Sequence, residues 1–381
     1  MKFIHTSDLH IGKKIYNYSL MEEQEFILNQ IIENALKENA EGVFLVGDIY
    51  DKSIPSEESH TMFSKFIETC CEKEIKVFVI AGNHDSGKRL ETFKNIVRAN
   101  NIFIEGEYRG KLAKFSLRDQ FGPLNIYMLP YINERRIRQY FPDEKYENSE
   151  EALAAVLSRE NINKEERNIL LLHQYVRGGL TCQSEEFAIG GEHEINGYLL
   201  RDFDYVALGH LHNSQKAGRR EIRYSGSPIK YSFSEINYIK SMTLLDFKEK
   251  GNIEISTIPY ISKRNMIEIK DSLENIINYK YSDYKNDFVN IILTKEQEEA
   301  NAYKLLKELF PYITSISYEG NDSEDYILSF PSEDKIENPI DVFKELYLRQ
   351  KDEELTSDQL SVLKNIMKNI EEGSVDRKSV V

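Results

Sequence analysis

Seven side chains able to bind metal follow short apolar segments of this sequence. They combine carboxylate, amide and imidazole groups. In an extended backbone, residues two positions apart point the same way, so Asp8 with His10, and His210 with His212, each present two ligands to one point. The seven predicted metal ligands are Asp8, His10, Asp48, Asn83, His173, His210 and His212.

The mixture of donors indicates which ions such a site would take. Imidazole with carboxylate and amide oxygen suits Mn²⁺, Fe²⁺ or Zn²⁺ better than it suits Mg²⁺ or Ca²⁺. Seven ligands are enough for two ions, and Asp48 is the carboxylate we expect to bridge them at a spacing of about 3.5–4 Å. A pair of this kind generates hydroxide at neutral pH and holds a phosphoryl group during in-line displacement.

His84 and Asp85 remain as predicted catalytic residues beside these ligands. His84 directly follows Asn83, and we expect it to face the phosphate, where it stabilises developing charge or protonates the leaving oxygen. Asp85 is predicted to orient His84 and keep it protonated.

The elements that position these side chains are short Val- and Ile-rich runs, typical of strands buried on both faces. Helix-like stretches at 21–39 and 60–74 separate the first runs, which predicts an α/β layered domain. The ligands follow the runs, at the sheet edge where open α/β sheets bind. Two later runs, Ile222–Ser227 and Ser241–Phe247, are predicted to continue the sheet in antiparallel fashion. The six principal runs are 3–4, 43–46, 77–80, 126–129, 169–172 and 205–208.

Composition sets limits on the class of protein. The chain has 381 residues and a formal net charge of −15, so it does not coat nucleic acid by bulk charge. Its three cysteines cannot form a zinc quartet, and their pattern is not that of a disulfide framework. With no apolar run near the ~18 residues of a membrane span and no signal-peptide core, we expect a cytoplasmic protein that does not enter a membrane.

After residue 264 the pattern changes to a small α+β unit. We predict strands at 266–269, 287–293 and 312–318, with helices at 271–279 and 297–309; 326–330 could add a strand. Two amphipathic helices follow. Asn338-Pro339 starts the first, and a capping box at 356–359 starts the second. These helices either pack on the body or form a docking arm for another protein.

The ordered motifs resemble those of the calcineurin-like metallophosphoesterases. Within that family the chain is similar to the bacterial DNA nucleases that act with an SMC-like ATPase. The similarity covers residues 1 to about 235, and the rest follows by domain order only. The motifs that carry the resemblance are Asp8-Leu9-His10, Gly47-Asp48-Ile49-Tyr50-Asp51, Gly82-Asn83-His84-Asp85, His173-Gln174-Tyr175-Val176, Gly209-His210-Leu211-His212 and Tyr224-Ser225-Gly226-Ser227-Pro228.

The resemblance implies a four-layer α/β/β/α sandwich with a small α+β capping domain and a C-terminal helical arm. It places the nuclease domain at 1–260, the capping domain at 265–335 and the ATPase-binding helices at 338–381. It also implies an exonuclease on double strands and an endonuclease on hairpins and single strands. The resemblance further implies two bound Mn²⁺ ions and a homodimer through the phosphoesterase domain. It also implies an assembly with the ATPase on nucleoid DNA.

Two other functions are compatible with the same motifs. One is a phosphatase or phosphodiesterase for a non-DNA substrate, because the metal motif is common to both. The other is a non-catalytic scaffold protein for the ATPase. Candidate phosphate contacts for DNA are the basic residues Lys13, Lys14, Lys88, Arg89, Arg135, Arg136 and Arg138.

Overall fold

A computed structural model describes residues 1–185, 194–278, 280–294, 302–319, 340, 355–356 and 359–364. The chain divides into two compact units, Met1–Ile327 and Leu328–Val381. In the second unit, Gln359 N–H donates to Thr356 Oγ1 (3.3 Å) and Thr356 N–H donates to Gln359 Oε1 (2.9 Å), which confirms the predicted capping box. The remainder of the two predicted terminal helices, apart from scattered positions, and the predicted strand at 326–330 lie outside the described residues.

The apolar runs form the strands of the first unit, and all six principal predictions are confirmed. The strands are β1 Lys2–Thr6, β2 Lys14–Ile15, β3 Tyr18–Ser19, β4 Gly42–Val46, β5 Lys76–Ile80, β6 Ile102–Glu105, β7 Ala113–Asp119, β8 Gly122–Leu129, β9 Arg167–His173, β10 Tyr175–Val176, β11 Glu194–Ile195, β12 Tyr205–Gly209, β13 Gln215–Ala217, β14 Arg219–Tyr224, β15 Ser241–Phe247, β16 Ile253–Pro259, β17 Met266–Asp271, β18 Phe288–Leu293 and β19 Ile313–Tyr318.

Helices connect these strands, and the two predicted long ones are present. α2 begins at a serine cap, since Ser56 Oγ accepts the N–H of Ser59 (3.2 Å). Among the described residues, no helix is long and apolar enough to cross a membrane. The helices are α1 Met21–Lys37, α2 Glu57–Glu72, α3 Gly87–Leu90, α4 Lys94–Val97, α5 Glu134–Arg138, α6 Ser149–Ser158, α7 Leu273–Ile277 and α8 Ala302–Leu309.

Two six-stranded sheets stack face to face. Their strand orders are β16-β15-β1-β4-β5-β6 and β13-β14-β12-β9-β8-β7. In each sheet four neighbouring strands are parallel. In the first sheet β15 follows β1 in antiparallel orientation and β16 is antiparallel to β15, and in the second sheet the antiparallel strands β13 and β7 form the two edges. The predicted antiparallel continuation is therefore right for β15, which pairs antiparallel with β1, and wrong for β14, which lies parallel to β12.

Alternation along the strands divides the core into layers. Phe44 and Val46 face the core between the sheets, whereas Val43 and Leu45 face α1 and α2. α6 covers the outer face of the second sheet through Leu153 and other apolar residues. The result is the expected four-layer α/β/β/α sandwich.

A three-stranded unit, residues 266–318, packs against the β2–β3 hairpin. Its strands β17, β18 and β19 are all parallel, with α7 and α8 as the connections. The sequence predicted a mixed unit of helices and strands here, and the structure adds the parallel arrangement. Met266 and Phe288 share a small core with Ile15, Leu20 and Tyr231.

Arg167, at the start of β9, ties the two sheets together. Its side chain is 1% exposed and forms an ion pair with Asp119 of β7. The guanidinium also donates to the carbonyl of Lys248, just after β15 of the other sheet (2.7 Å), and to that of Gly122 (2.7 Å). A buried guanidinium with this many acceptors is satisfied in its charge and in its hydrogen bonds.

We expect Arg167→Met to lower the free energy of unfolding by about 3 kcal/mol, because it removes the buried guanidinium that pairs with Asp119 and donates to two carbonyls. Urea denaturation followed by circular dichroism measures the loss. Arg118→Met, on the exposed side of β7, is the control and should unfold like the wild type. Equal midpoints for the two variants would show that Arg167 does not stabilise the sandwich.

Candidate metal centre

The carboxyl ends of five strands, from both sheets, meet at one edge of the sandwich. The loops after β1 and β4 are joined by backbone hydrogen bonds, from Asp8 N–H to Gly47 C=O (3.1 Å) and from His10 N–H to Asp48 C=O (2.9 Å). The loop after β12 joins them, because His210 N–H donates to Asp8 Oδ1 (3.0 Å). The backbone thus fixes the separation of the strand ends before any ligand is considered.

Asp48 lies at the centre of this edge. Its Oδ2 atom is 3.3 Å from His173 Nε2, 3.7 Å from His10 Nε2 and 4.0 Å from His84 Nε2. Its side chain is only 3% exposed. A buried carboxylate oxygen faced by imidazoles on several sides has the geometry of a bridging ligand.

One group of ligands lies on the β1 side of Asp48. The ligand atoms of Asp8, His10 and His212 are all within 4.8 Å of one another. The Nε2 atoms of His10 and His212 are 3.2 Å apart. Two ring nitrogens at this distance need a proton or a cation between them.

A second group lies on the β5 and β9 side. The ligand atoms of Asp48, His173 and His210 are also within 4.8 Å of one another. Asn83 Oδ1 completes the group, at 3.1 Å from both His173 Nε2 and His210 Nδ1. The structure therefore brings all seven predicted ligands into two adjoining groups with Asp48 between them.

The electrostatics of these groups fit a cation. Burial raises the pKa of Asp8 to about 6 and lowers the pKa of His210 to about 3. Burial also lowers the pKa of His10, whose Nδ1 atom is buried without a hydrogen-bond partner in the described structure. Burial opposes protonation of His173, but the Asp48 carboxylate raises the His173 pKa to about 9. Lone pairs and acidic oxygens that face one another in a buried site are the donor set of a divalent metal.

His84 stands beside the ligands with its ring held from behind. Its Nδ1 atom is 3.0 Å from the Asp51 carbonyl, which can only accept, so Nδ1 carries the proton and Nε2 points toward Asp48. The side chain is 12% exposed and thus reachable from solvent. This position agrees with a residue that contacts substrate.

Asp85 has a different role from the predicted one. Its carboxylate accepts the backbone N–H groups of Gly82 (2.9 Å), Ile49 (3.1 Å) and Tyr50 (3.0 Å). These bonds tie the loop after β4 to the loop after β5. The prediction that Asp85 orients the imidazole of His84 is corrected, since the Asp51 carbonyl does so.

Backbone strain is concentrated at the ligands. Four of the predicted ligands have positive φ angles, namely Asp8 (54°), His10 (42°), Asp48 (49°) and His210 (105°). A non-glycine residue in this region costs about 1–3 kcal/mol and persists only where its surroundings enforce it. Strain at the ligands themselves indicates a preorganised functional site.

A family model for calcineurin-like phosphoesterases matches residues 1–214. The chain belongs to the calcineurin-like phosphoesterase family. This family hydrolyses phosphate esters with divalent metals, and the two groups of ligands described above lie within or at the end of the matched segment. The chain is therefore a phosphoesterase, and its α/β sandwich agrees with that family.

Two further comparisons found proteins that are similar to this chain. The SbcD component of the nuclease SbcCD from Staphylococcus epidermidis is 29% identical over 373 residues, which cover 96% of this chain and 98% of that protein. A crystal structure of a dimetal phosphatase from Danio rerio aligns with a TM-score of 0.41 and 14% identity, over 68% of this chain and 99% of that chain.

The structure shows two residues, Gln24 and Tyr231, that hold the loop of His10 in place and that were not among the site residues predicted from the sequence. Gln24 of α1 donates through Nε2 to the carbonyls of His10 (2.6 Å) and Leu9 (3.2 Å), which fixes the loop carrying His10. Tyr231 donates to the Leu9 carbonyl (2.5 Å), and its ring contacts the rings of His10 and His212. Gln24 has no local signal, since it is one polar residue in a polar helix turn.

We expect Gly47→Ala to weaken divalent metal binding at least about tenfold, because it would displace the imidazole of His173. Mutations of residues that hold a metal ligand in place typically weaken metal binding by about this factor. An added Cβ would lie 2.1 Å from His173 Nδ1. Calorimetric titration with Mn²⁺ measures the change. Gly218→Ala is the matched control, since Gly218 has nearly the same φ (+79° against +82°) but no atom within 4 Å of an added Cβ. Unchanged Mn²⁺ affinity in a folded Gly47→Ala variant would contradict this role for the glycine.

Proposed function

We propose that this phosphoesterase is a Mn²⁺-dependent DNA nuclease of the SbcD type. In this proposal it degrades double-stranded DNA as an exonuclease and cuts hairpins and single strands as an endonuclease, in DNA repair and recombination. The observation that carries the proposal is the two-group centre around Asp48, in a chain whose nuclease relative aligns over 98% of its length.

Two metal ions would be held by the two groups of ligands. Asp8, His10 and His212 form one site and Asn83, His173 and His210 the other, with Asp48 shared. Ions so held supply hydroxide at neutral pH and neutralise the charge of the phosphodiester. The mixed donors favour Mn²⁺.

The chain itself contributes orientation and proton transfer. The Asp51 carbonyl fixes the His84 ring, so Nε2 faces the space next to Asp48 where a phosphate oxygen would lie. A protonated Nε2 there donates to the scissile phosphate or to the leaving oxygen. Asp85 holds the loop that carries His84 and thereby positions it.

We expect His84→Gln to keep two Mn²⁺ ions and to lower cleavage of linear duplex DNA by at least about 100-fold, the range of a lost general acid. Metal analysis and a nuclease assay measure the two effects separately. His60→Gln, an exposed histidine on α2, is the control and should retain full activity. Loss of both metals in His84→Gln would mean that His84 supports the ligands instead of the phosphate.

DNA binding by so acidic a chain needs basic side chains at the binding surface. The structure shows which of the candidate basic residues already have partners within the chain and which are exposed. Lys13 is paired with Asp51 (2.9 Å), and the guanidinium groups of Arg136 and Arg138 donate to backbone carbonyls. Arg135, at the start of α5, is 87% exposed. Lys14, Lys88 and Arg89 are exposed as well.

We expect Arg135→Gln to reduce the slope of log affinity against log salt for duplex DNA by about 1, as loss of one phosphate contact does. Arg220→Gln is the control, because Arg220 is near the amino end of β14, away from the metal edge. Fluorescence anisotropy at several salt concentrations gives both slopes. Identical slopes for the two variants would exclude Arg135 from the DNA contact.

The proposed partners are a second copy of the chain and an SbcC-like SMC ATPase, in a heterotetramer. Phe93, just before α4, is 65% exposed, and Ile96, within α4, is 68% exposed. These exposed apolar side chains support a contact between two phosphoesterase domains. Residues 338–381 are proposed to bind the ATPase, and 265–335 to form a capping domain that selects DNA. The ATPase relation is supported by the name of the nuclease relative, which describes it as one part of SbcCD.

The decisive experiment compares substrates. The wild-type chain with Mn²⁺ is given linear duplex DNA with free and blocked ends, a small phosphodiester and a phosphomonoester, each with and without the ATPase. Release of nucleotides from free duplex ends supports the proposal. Hydrolysis of the monoester alone identifies a phosphatase, and no hydrolysis of any substrate identifies a scaffold protein.

A further inference from the structure

His212 has a polar network behind its imidazole ring. The Nδ1 atom of His212 is 2.7 Å from Ser184 Oγ, and that hydroxyl is 2.5 Å from Glu235 Oε1. Glu235 is completely buried and forms an ion pair with Lys240, itself 5% exposed. The Ser184 hydroxyl thus links the His212 imidazole to the ion pair of Glu235 and Lys240.

The direction of each hydrogen bond follows from the chemistry of the groups. The Lys240 ammonium can only donate, so Glu235 accepts from it. The Ser184 hydroxyl has one proton, and it donates this proton to the Glu235 carboxylate. Its lone pair is left to accept from His212, so the proton of His212 is on Nδ1. The lone pair of Nε2 then faces the ligand group of Asp8 and His10.

We propose that Ser184 and Glu235 are positioning residues that fix His212 in the metal-binding tautomer and thereby set the affinity of the Asp8–His10–His212 site. The inference depends on the proposed two-metal function. A carboxylate behind a ligating imidazole makes the imidazole a stronger donor, and loss of such support costs about 10- to 100-fold in metal affinity.

The other site is supported differently. His173 Nδ1 donates to the backbone carbonyl of Val46 (2.9 Å). No side-chain substitution removes this carbonyl, whereas the group next to His212 Nδ1 is a side-chain hydroxyl, that of Ser184. The two sites can therefore be separated by mutation.

A third metal ion at the same network is a competing explanation, because Cys182, His212 and Glu235 lie close enough to share one. The structure argues against it. The Glu235 carboxylate already accepts from Lys240 and Ser184 and from the N–H groups of Tyr231 and Ser232, both at 3.1 Å. A carboxylate with these donors has little capacity left for a cation.

The test is calorimetric titration of the full chain with Mn²⁺. We expect Ser184→Ala to weaken one of two binding steps at least tenfold, namely the step that Asp8→Asn weakens and Asn83→Ala does not. Ser184→Thr, which keeps the hydroxyl, should restore it. Ser232→Ala is the matched control, because Ser232 also contacts Glu235 (3.4 Å) but belongs to a turn away from the imidazole. Circular dichroism confirms that each variant is folded.

The outcomes separate the inference from the proposed function. A wild-type chain that binds no Mn²⁺ overturns both. Two wild-type Mn²⁺ steps that Ser184→Ala leaves unchanged, or weakens no more than Ser232→Ala does, overturn the positioning role alone. Loss of a third ion in Cys182→Ala would replace the positioning role with a metal site.

Discussion

The centre of this molecule is a buried carboxylate, Asp48, surrounded by imidazoles. A buried charge is unfavourable unless groups of opposite charge or hydrogen-bond donors compensate it. His173 and the His84 backbone N–H compensate part of the Asp48 charge, and a divalent cation on each side would compensate the rest. The need to keep these groups together explains why the loops that carry them are fixed so firmly by backbone hydrogen bonds.

The stacking of the two sheets depends on small residues at this edge. Gly209 at the end of β12 lies so near β4 that an added Cβ would be 1.9 Å from the Val46 carbonyl. Gly82 is equally close to Asp48, at 2.0 Å from its Oδ1. Without a side chain at these positions, ligands from both sheets can reach one point. The glycines beside the ligands thus have a steric function, and the positive φ angles of the ligands show what the close approach requires of the backbone.

The sequence predicted the strands, and the gathering of the seven candidate ligands at one edge, because both have short-range signals. A buried parallel strand is a continuous apolar run, and the ligands follow such runs within a few residues. Long-range packing decides the sheet to which a strand belongs and the direction in which it runs. For this reason the predicted antiparallel orientation of β14 was wrong. Asp85 was misassigned for a similar reason, since adjacency to His84 in sequence does not reveal that three backbone N–H groups bind its carboxylate.

The network behind His212 could not be predicted from the sequence either, because its members are far apart in the chain. Ser184, Glu235 and Lys240 lie 28, 23 and 28 residues from His212 in the chain, and none belongs to a metal motif. Ser232 and Glu235 do have the spacing of a capping box, and the structure contains that box. However, the spacing predicts a turn and gives no indication of the imidazole that the turn supports.

The first turn of α1 joins the metal centre to the three-stranded unit. Glu22 and Glu23 form ion pairs with Arg264, which leads into β17 and stacks on Tyr312. The next residue, Gln24, holds the carbonyl of His10. The same helix turn therefore binds Arg264, next to the three-stranded unit, and the loop that carries His10. The three-stranded unit cannot shift relative to α1 without disturbing the residues next to this loop. The position of that unit and the geometry of the metal site are therefore parts of a single packing arrangement.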